Sequence, residues 1–200
     1  MISIYKLKPK FQQLLNPVLV FLHQREITAN QITIGSVILS LIIALLFWNA
    51  DAYNWFFLSL PIGLLLRMAL NALDGMMARK FNQMSKLGEI LNEVGDIVSD
   101  VIIFFPLLKF QSESLYLVVV FITLSVINEF AGLLGKAIGG ERRYDGPMGK
   151  SDRALLLGVY GLILFFGVDV SGFSTYIFGI IILLLIVSSF TRLKKALNEA

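Results

Sequence analysis

Long apolar runs separated by short polar turns occupy most of the chain. A helix needs roughly 20 apolar residues to cross the hydrocarbon core of a bilayer. Six stretches approach that length: 31–49, 55–78, 86–109, 114–137, 153–168 and 174–191. Spans two and three break the pattern at one end. The second closes on the polar LDGMMAR, and the third opens on GEILNEVGDIVSD before VIIFFPLLK. Ahead of the first span, Lys6, Lys8, Lys10 and Arg25 flank Phe11, Leu14, Leu15, Val18 and Leu22, the pattern of a helix lying in the membrane interface. Pro9 and Pro17 are expected to start or bend it. The run PVLVFL is too short for a signal peptide, and no small-residue cleavage site follows it. The expected fold is all-α and polytopic. One membrane domain fills 1–200, with an interfacial amphipathic helix over 1–26 and a six-helix transmembrane bundle over 27–200.

Composition agrees. Hydrophobic residues make up 56% of the chain and charged residues 16%, well under the quarter usual in soluble domains. Disorder, fibrous repeats and an ordinary cytosolic domain are excluded. With no cysteine and a single histidine, His23, disulfides, thiol catalysis and multi-histidine zinc sites are excluded as well. Any metal here is held by oxygen, which favours a hard cation such as Mg²⁺, Mn²⁺ or Ca²⁺. His23 reads as an interfacial side chain. The net charge of +3 says less than its distribution. With the N-terminus inside, all but two of the 17 lysines and arginines fall on inner segments; the exceptions are Arg67 and Lys109. The outer turns carry Asp51, Glu113 and Asp169 instead. That bias predicts both termini in the cytoplasm, in a chain suited to the inner membrane of a bacterium. No nucleic-acid partner is implied, because the basic residues alternate with membrane spans.

Ionisable side chains at membrane depth are costly and mark pairs, water or bound ions. Arg67, Asp74, Glu89, Glu93, Asp96, Asp100 and Glu129 are of this kind. Asn71 and Asp74 are i, i+3 near the inner end of span two; Asn92, Asp96 and Asp100 are i, i+4, i+8 on one face of span three. A short basic turn (Arg79, Lys80, Lys86) makes the two helices antiparallel neighbours with their polar ends at one depth. Facing oxygen ligands one turn apart suit a divalent cation, which relieves the mutual repulsion of the carboxylates. The competing reading is a metal-free network with Arg67 or Arg79 as counter-charge. Gly75, Gly88 and Gly95 permit close approach of backbone or ligand, and Arg79 is placed to meet a phosphate.

The stretch Asn71–Asp96 resembles the signature of the CDP-alcohol phosphotransferase family: Asp, two residues, Asp-Gly, two residues, Ala-Arg, eight residues, Gly, three residues, Asp, three residues, Asp. Here it reads N-AL-DG-MM-AR-KFNQMSKL-G-EIL-N-EVG-D. Every interval matches, and Asp74, Gly75, Ala78, Arg79, Gly88 and Asp96 match in identity. The family's first and third aspartates are Asn71 and Asn92 here. Asparagine keeps a carbonyl oxygen and loses the charge, so weaker metal binding is expected. Glu89, Glu93 and Asp100 are candidates to restore charge, Asp100 best of all.

The resemblance implies a reaction. A CDP-linked lipid donor, CDP-diacylglycerol by family frequency, lies with its pyrophosphate at Mg²⁺ or Mn²⁺. The metal ligands are drawn from Asp74, Asp96, Asn71, Asn92 and Asp100. Asp96 deprotonates an acceptor alcohol, which attacks the β-phosphorus, and CMP leaves. Asp74, Gly75, Ala78, Arg79 and Gly88 belong to the donor site. A homodimer is also suggested by the family.

Other constellations fit less tightly. The loop GGERRYDGPMGKSDRA is glycine-rich and ends in Lys150 and Arg153, which share a face at the start of span five. They are read as anion ligands for the acceptor's phosphate or head group, against plain inner-side anchoring. Arg142 and Arg143 read as lipid-surface charges. The segment ITANQIT resembles the family's entry to span one: Asn30 is a helix cap or, with Thr33, a nucleotide contact. Glu129 reads as the partner of Arg67, against a substrate contact. Two further functions stand beside the enzyme: a catalytically weakened CDP-lipid or nucleotide-binding protein of the same fold, and an ion transporter. The transporter is disfavoured because no polar path reaches the outer face.

Overall fold

The structure is a computed structural model that describes residues 8–199. The expected contributions of Met1–Leu7, Lys6 among them, lie outside the described residues, as does the side chain of Lys8. Among the described residues there is no strand. Helices α1 (Lys8–Gln24), α2 (Ala29–Trp48), α3 (Ser59–Lys80), α4 (Lys86–Phe104), the single turn α5 (Leu107–Phe110), α6 (Leu115–Ala137), α7 (Lys150–Phe165) and α8 (Ser171–Glu199) follow one another.

Four segments are long and apolar enough to cross a membrane by length and composition: Ala29–Trp48, Asn54–Lys80, Leu115–Ala137 and Gly172–Asn198. α4 and α7 overlap the other two expected spans and, at 19 and 16 residues, are shorter than these four; each begins on charged residues. The third expected span is also not continuous. Pro106 has no N–H to extend the ladder, so α4 ends at Phe104 and the chain re-forms a turn at α5. Pro17, by contrast, lies inside an unbroken α1.

Local chemistry sets the helix starts. Thr28 caps α2 through a reciprocal capping box with Gln31: its hydroxyl accepts the Gln31 N–H at 3.3 Å, and its own N–H donates to Gln31 Oε1 at 2.9 Å. The cap is thus Thr28, whose backbone is extended as a cap requires, and the expected Asn30 is the second residue of the helix. Ser85 caps α4 by accepting the Gly88 N–H at 3.0 Å.

The helices alternate in direction, so the start of α2, the end of α3, the start of α4, the end of α6, the start of α7 and the end of α8 gather at one end. α2 packs against both α3 and α4, α7 against α3, and α8 against α6. α3 and α4 were expected as direct neighbours. Their backbones instead lean on α2, and they meet through polar side chains. Gly158 and Gly161 let α7 approach α3 closely: a Cβ at Gly161 would lie 2.7 Å from Leu60 Cβ. Small residues at such crossings are how helices associate in lipid, where apolar burial alone gives little drive.

The two ends of the bundle differ. Ile43, Phe47, Leu60, Leu64, Ile103, Phe104, Phe121, Leu157, Phe178 and Leu185 form one buried apolar cluster. It fills the bundle on the far side of the charged residues. A second cluster (Leu19, Ala29, Ile32, Leu73, Met77) pins α1 across the charged end of α2 and α3. α1 still shows Leu14, Val18 and Phe21 to its surroundings, an apolar stripe at helical spacing. His23 stacks on Phe81 with ring centroids 3.5 Å apart.

Candidate active site

Three helices bring the signature residues together. On α3, Asn71 and Asp74 point toward α4; on α4, Asn92 and Asp96 point back. The bonds cross over. Asn71 Nδ2 donates to Asp96 Oδ1 at 3.1 Å, and Asn92 Nδ2 donates to Asp74 Oδ2 at 3.3 Å. Each asparagine therefore serves the aspartate of the other helix. α2 supplies the outer supports: the Thr33 hydroxyl donates to Asp74 Oδ2 at 2.9 Å, and the Ser36 hydroxyl to Asn71 Oδ1 at 2.7 Å.

One carboxylate oxygen of these pairs is buried and left over. Asp74 is buried, and its Oδ1 has no hydrogen-bond partner. A buried carboxylate oxygen without a donor is expensive, and a cation beside it would remove that cost. Among the described residues no three carboxylate or imidazole side chains form a metal cage by themselves. The available set is two carboxylates and two carboxamides, all hard oxygen donors, which fits Mg²⁺ or Mn²⁺ in character.

Beside this pair the site is open. Arg79 is exposed and lies over Gly75, where a Cβ would meet its Nη1 at 3.2 Å. Among the described residues it makes no ion pair. Gly88 is similarly constrained: a Cβ there would lie 2.8 Å from Asn30 Oδ1. Asn30 and Gly88 are thus in mutual contact at the mouth of the pair. Ala78, half-buried one turn after Asp74, packs with the second apolar cluster.

Deeper in, the charges are paired. Arg67 donates to Asp100 Oδ1 at 2.8 Å and to the Asp96 carbonyl at 3.3 Å. Arg153 donates to Asp100 Oδ2 at 2.7 Å and to Glu129 Oε1 at 2.9 Å. Both oxygens of Asp100 are occupied by guanidinium groups, so it does not face the Asp74–Asp96 pair as a free ligand. Lys150 is bonded to Asp96 Oδ1. Glu129, expected with Arg67, is instead held by Arg153, by Arg142 at 3.1 Å and by Arg192 at 3.6 Å. Arg142, expected at the lipid surface, turns inward to Glu93 at 2.8 Å as well, so it pairs with one buried and one half-buried carboxylate. Arg143 pairs with Asp145 at 2.8 Å. The glycine-rich loop carries no open anion nest at its end: Gly149 N–H donates to Asp152 Oδ2 at 3.1 Å, so α7 is capped by its own carboxylate.

Arg192 was not singled out by its sequence context. The residue is 1% exposed, and its guanidinium donates to the Asn128 carbonyl at 2.6 Å. The one sequence signal for it was a charge on the last turns of an otherwise apolar run. Ser36 and Asn128 gave even less, since a lone small polar residue in a span is common.

The family model of the CDP-alcohol phosphatidyltransferases matches residues 26–191. The chain belongs to this family. A relative in Escherichia coli K12, the inner membrane protein YnbA, is 48% identical over 160 residues, covering 80% of this chain and 79% of its own length. The fold is shared with the phosphatidylinositol phosphate synthase PgsA1 of Mycobacterium tuberculosis. The structure of that enzyme with CDP-DAG bound has a TM-score of 0.77 at 18% identity, over 94% of this chain and 95% of the other. Its complex with manganese and citrate gives 0.75 at 19% identity, over 92% and 88%. Membership makes the chain an integral membrane protein of a transferase family. It also gives the crossed Asn–Asp pairs a context, because they fall inside the matched region.

Proposed function

We propose that the chain transfers a phosphatidyl group from a CDP-linked lipid, CDP-diacylglycerol in first place, to an alcohol, with release of CMP. The observation that carries this reading is the unpartnered, buried Asp74 Oδ1 beside Asp96, in the helix pair that holds the family signature. PgsA1, which shares the fold, binds CDP-DAG and manganese in its two complexes.

Asp74 and Asp96 would hold one divalent cation; Asn71 and Asn92, whose amide nitrogens face the aspartates here, would add their carboxamide oxygens on turning those amides over. When bound, the cation neutralises charge on the transferring phosphate. Four signature carboxylates are reduced to two, so this chain is suited to weaker cation binding than a four-aspartate relative. Asp100 leaves the ligand set and acts as a positioning residue between Arg67 and Arg153. Arg79 neutralises a donor phosphate, and Asn30 and Thr33 line the nucleotide side across from Gly88. Asn71 and Lys150 both donate to Asp96 Oδ1 and fix that carboxylate; among the described residues nothing donates to its Oδ2. That oxygen takes the acceptor's hydroxyl proton. The acceptor oxygen bonds to the β-phosphorus, the phosphorus–oxygen bond to CMP breaks, and CMP departs with the electron pair. The six-span count, the cytoplasmic position of both termini and site, and a homodimer complete the proposal; the clustering of cations at one end supports the orientation.

A second reading has its own observation. The crossed Asn–Asp bonds and Lys150 already satisfy most of the site's acceptors, as a binding protein without turnover would have them. Purified protein with CDP-diacylglycerol, Mn²⁺ and a panel of alcohols separates the two. Release of CMP that disappears in Asp96→Ala is expected. Absence of CMP with every alcohol, together with thermal stabilisation by CDP, would establish the binding protein instead. Asn71→Asp with Asn92→Asp should raise Mn²⁺ affinity; no change would count against the ligand set.

A further inference from the structure

The inner side of the site holds its own anion. Arg142 from the loop, Arg153 from α7 and Arg192 from α8 close on Glu129 of α6 at 3.1, 2.9 and 3.6 Å. Guanidinium groups brought from separate elements to one point are how proteins grip the several oxygens of a phosphate. Here a carboxylate occupies that point. The neighbouring cations are committed as well. Arg67 and Arg153 share Asp100, Arg142 also reaches Glu93, and Lys150 sits on Asp96. The start of α7, otherwise a ready anion site, is capped by Asp152. Within the cluster, Arg67, Arg142, Lys150, Arg153 and Arg192 stand against Asp74, Glu93, Asp96, Asp100 and Glu129, and the charges cancel.

This balance limits what can enter. A divalent cation and the diphosphate of a CDP-linked donor bring opposite and roughly equal charge, so together they leave the balance intact. A phosphorylated acceptor would add about two further negative charges. It would add them beside cations that each already face a carboxylate, although the Nε of Arg67, Arg142 and Arg153 has no hydrogen-bond partner, and an uncompensated buried charge is strongly unfavourable. Arg79, which makes no ion pair among the described residues, lies over Gly75, away from Glu129 in the helix pair of the signature.

We infer that the acceptor is an unphosphorylated alcohol, and that Glu129, by occupying the anion position among three arginines, excludes its phosphorylated counterpart. This rests on the phosphatidyl-transfer reading above, and its test is arranged to fail separately. The first arm needs no turnover: thermal unfolding of the detergent-purified full chain, with inorganic phosphate as the probe. Wild type is expected to be unmoved by phosphate, whereas Glu129→Gln is stabilised by it. The second arm measures CMP release from CDP-diacylglycerol with Mn²⁺, comparing glycerol with glycerol 3-phosphate and inositol with inositol phosphate. Wild type should favour the unphosphorylated member of each pair at least about tenfold, a difference of about 1.4 kcal/mol in transition-state binding. Glu129→Gln should erase that preference. Stabilisation of wild type by phosphate to the same degree as the variant, or a wild-type preference for the phosphorylated acceptor, overturns the inference. If no alcohol yields CMP, the transfer reading fails, and the phosphate arm still decides the role of Glu129. If Glu129→Gln does not fold, the wild-type arms decide: insensitivity to phosphate and preference for plain alcohols uphold the inference, and the reverse results overturn it.

Discussion

On the α2–α3–α4 side of the polar cluster, Asp74 keeps a buried oxygen without a donor, and Arg79 lies exposed over Gly75 with no ion pair among the described residues. On the α6–α7–α8 side, Glu129 is closed upon by Arg142, Arg153 and Arg192. Both sides use the same residue types at the same end of one bundle. They differ in whether the charges find partners within the chain. A charge without an ion pair is available to a ligand, and a paired one holds the helices together. The open side is therefore the place to look for lost function on substitution, and the closed side the place to look for lost stability.

The largest effect is expected on the closed side. Arg153 bridges Asp100 and Glu129 with its side chain almost wholly buried. Arg153→Ala leaves two carboxylates short of a partner, and breaking buried pairs in this way costs about 3–5 kcal/mol. Thermal unfolding in detergent should show the loss directly. A variant as stable as wild type would mean the network is solvated, and the contrast between the two sides would dissolve.

Asp74→Asn asks the reverse question of the open side. The bond from Thr33 can persist, and a buried negative charge disappears, so stability should hold or rise. Stabilisation by Mn²⁺ should vanish. Turnover should fall by about 10²–10³, the range seen when one preorganised electrostatic group is removed from an active site. Retained Mn²⁺ stabilisation would remove Asp74 from the cation site.

The sequence makes one side of this contrast far more legible than the other. The open side lies within 26 residues of chain, Asn71 to Asp96, where helical spacing and a fixed signature both point to the same atoms. The apolar runs likewise locate the helices, because a span of given length has few alternatives in lipid. The closed side is assembled from α6, the following loop, α7 and α8, whose residues are far apart in sequence. Periodicity along one helix cannot say that Glu129 takes Arg153 and not Arg67, since that choice depends on how the helices sit around the ring. Arg142 was misleading for the same reason: a basic residue in a loop after a span looks like an interfacial anchor until the loop is seen folding back toward Glu93. The Pro106 break was legible in principle, as proline lacks the N–H a continuing helix needs.

Arg79→Ala gives a smaller effect that still separates the sides. The residue is exposed and makes no ion pair, so stability should stay within about 0.5 kcal/mol. A lost charge-assisted bond to a donor phosphate corresponds to about 1.5–3 kcal/mol, and it should appear as a raised KM for CDP-diacylglycerol. Arg79→Lys should recover part of it, because a point charge replaces a planar fork. An unaltered KM would move the donor's phosphates elsewhere.

The smallest effect belongs to the loop that closes the second side. Asp145 accepts from Lys195 and from Arg143, while its backbone carbonyl accepts from Arg192 Nε at 3.1 Å. Burial alone would raise its carboxyl, but the bonds from Lys195 and Arg143 outweigh it and hold the group below its ordinary value of 3.8. A carboxyl lowered in the folded state binds its proton later than in the unfolded chain. Its stabilising contribution is therefore complete above the unfolded value and declines as pH falls from there toward the folded one. The difference in unfolding temperature between wild type and Asp145→Asn should be constant from neutral pH down to about 5, then shrink through the acid range as the wild-type carboxyl protonates. Because Asp145 is partly exposed, the difference should also shrink with added salt, unlike that of Arg153→Ala, whose partners are buried. A gap that widened in acid would show that the loop is held by its backbone bonds to Arg192 and Ser188 and not by the charge of Asp145.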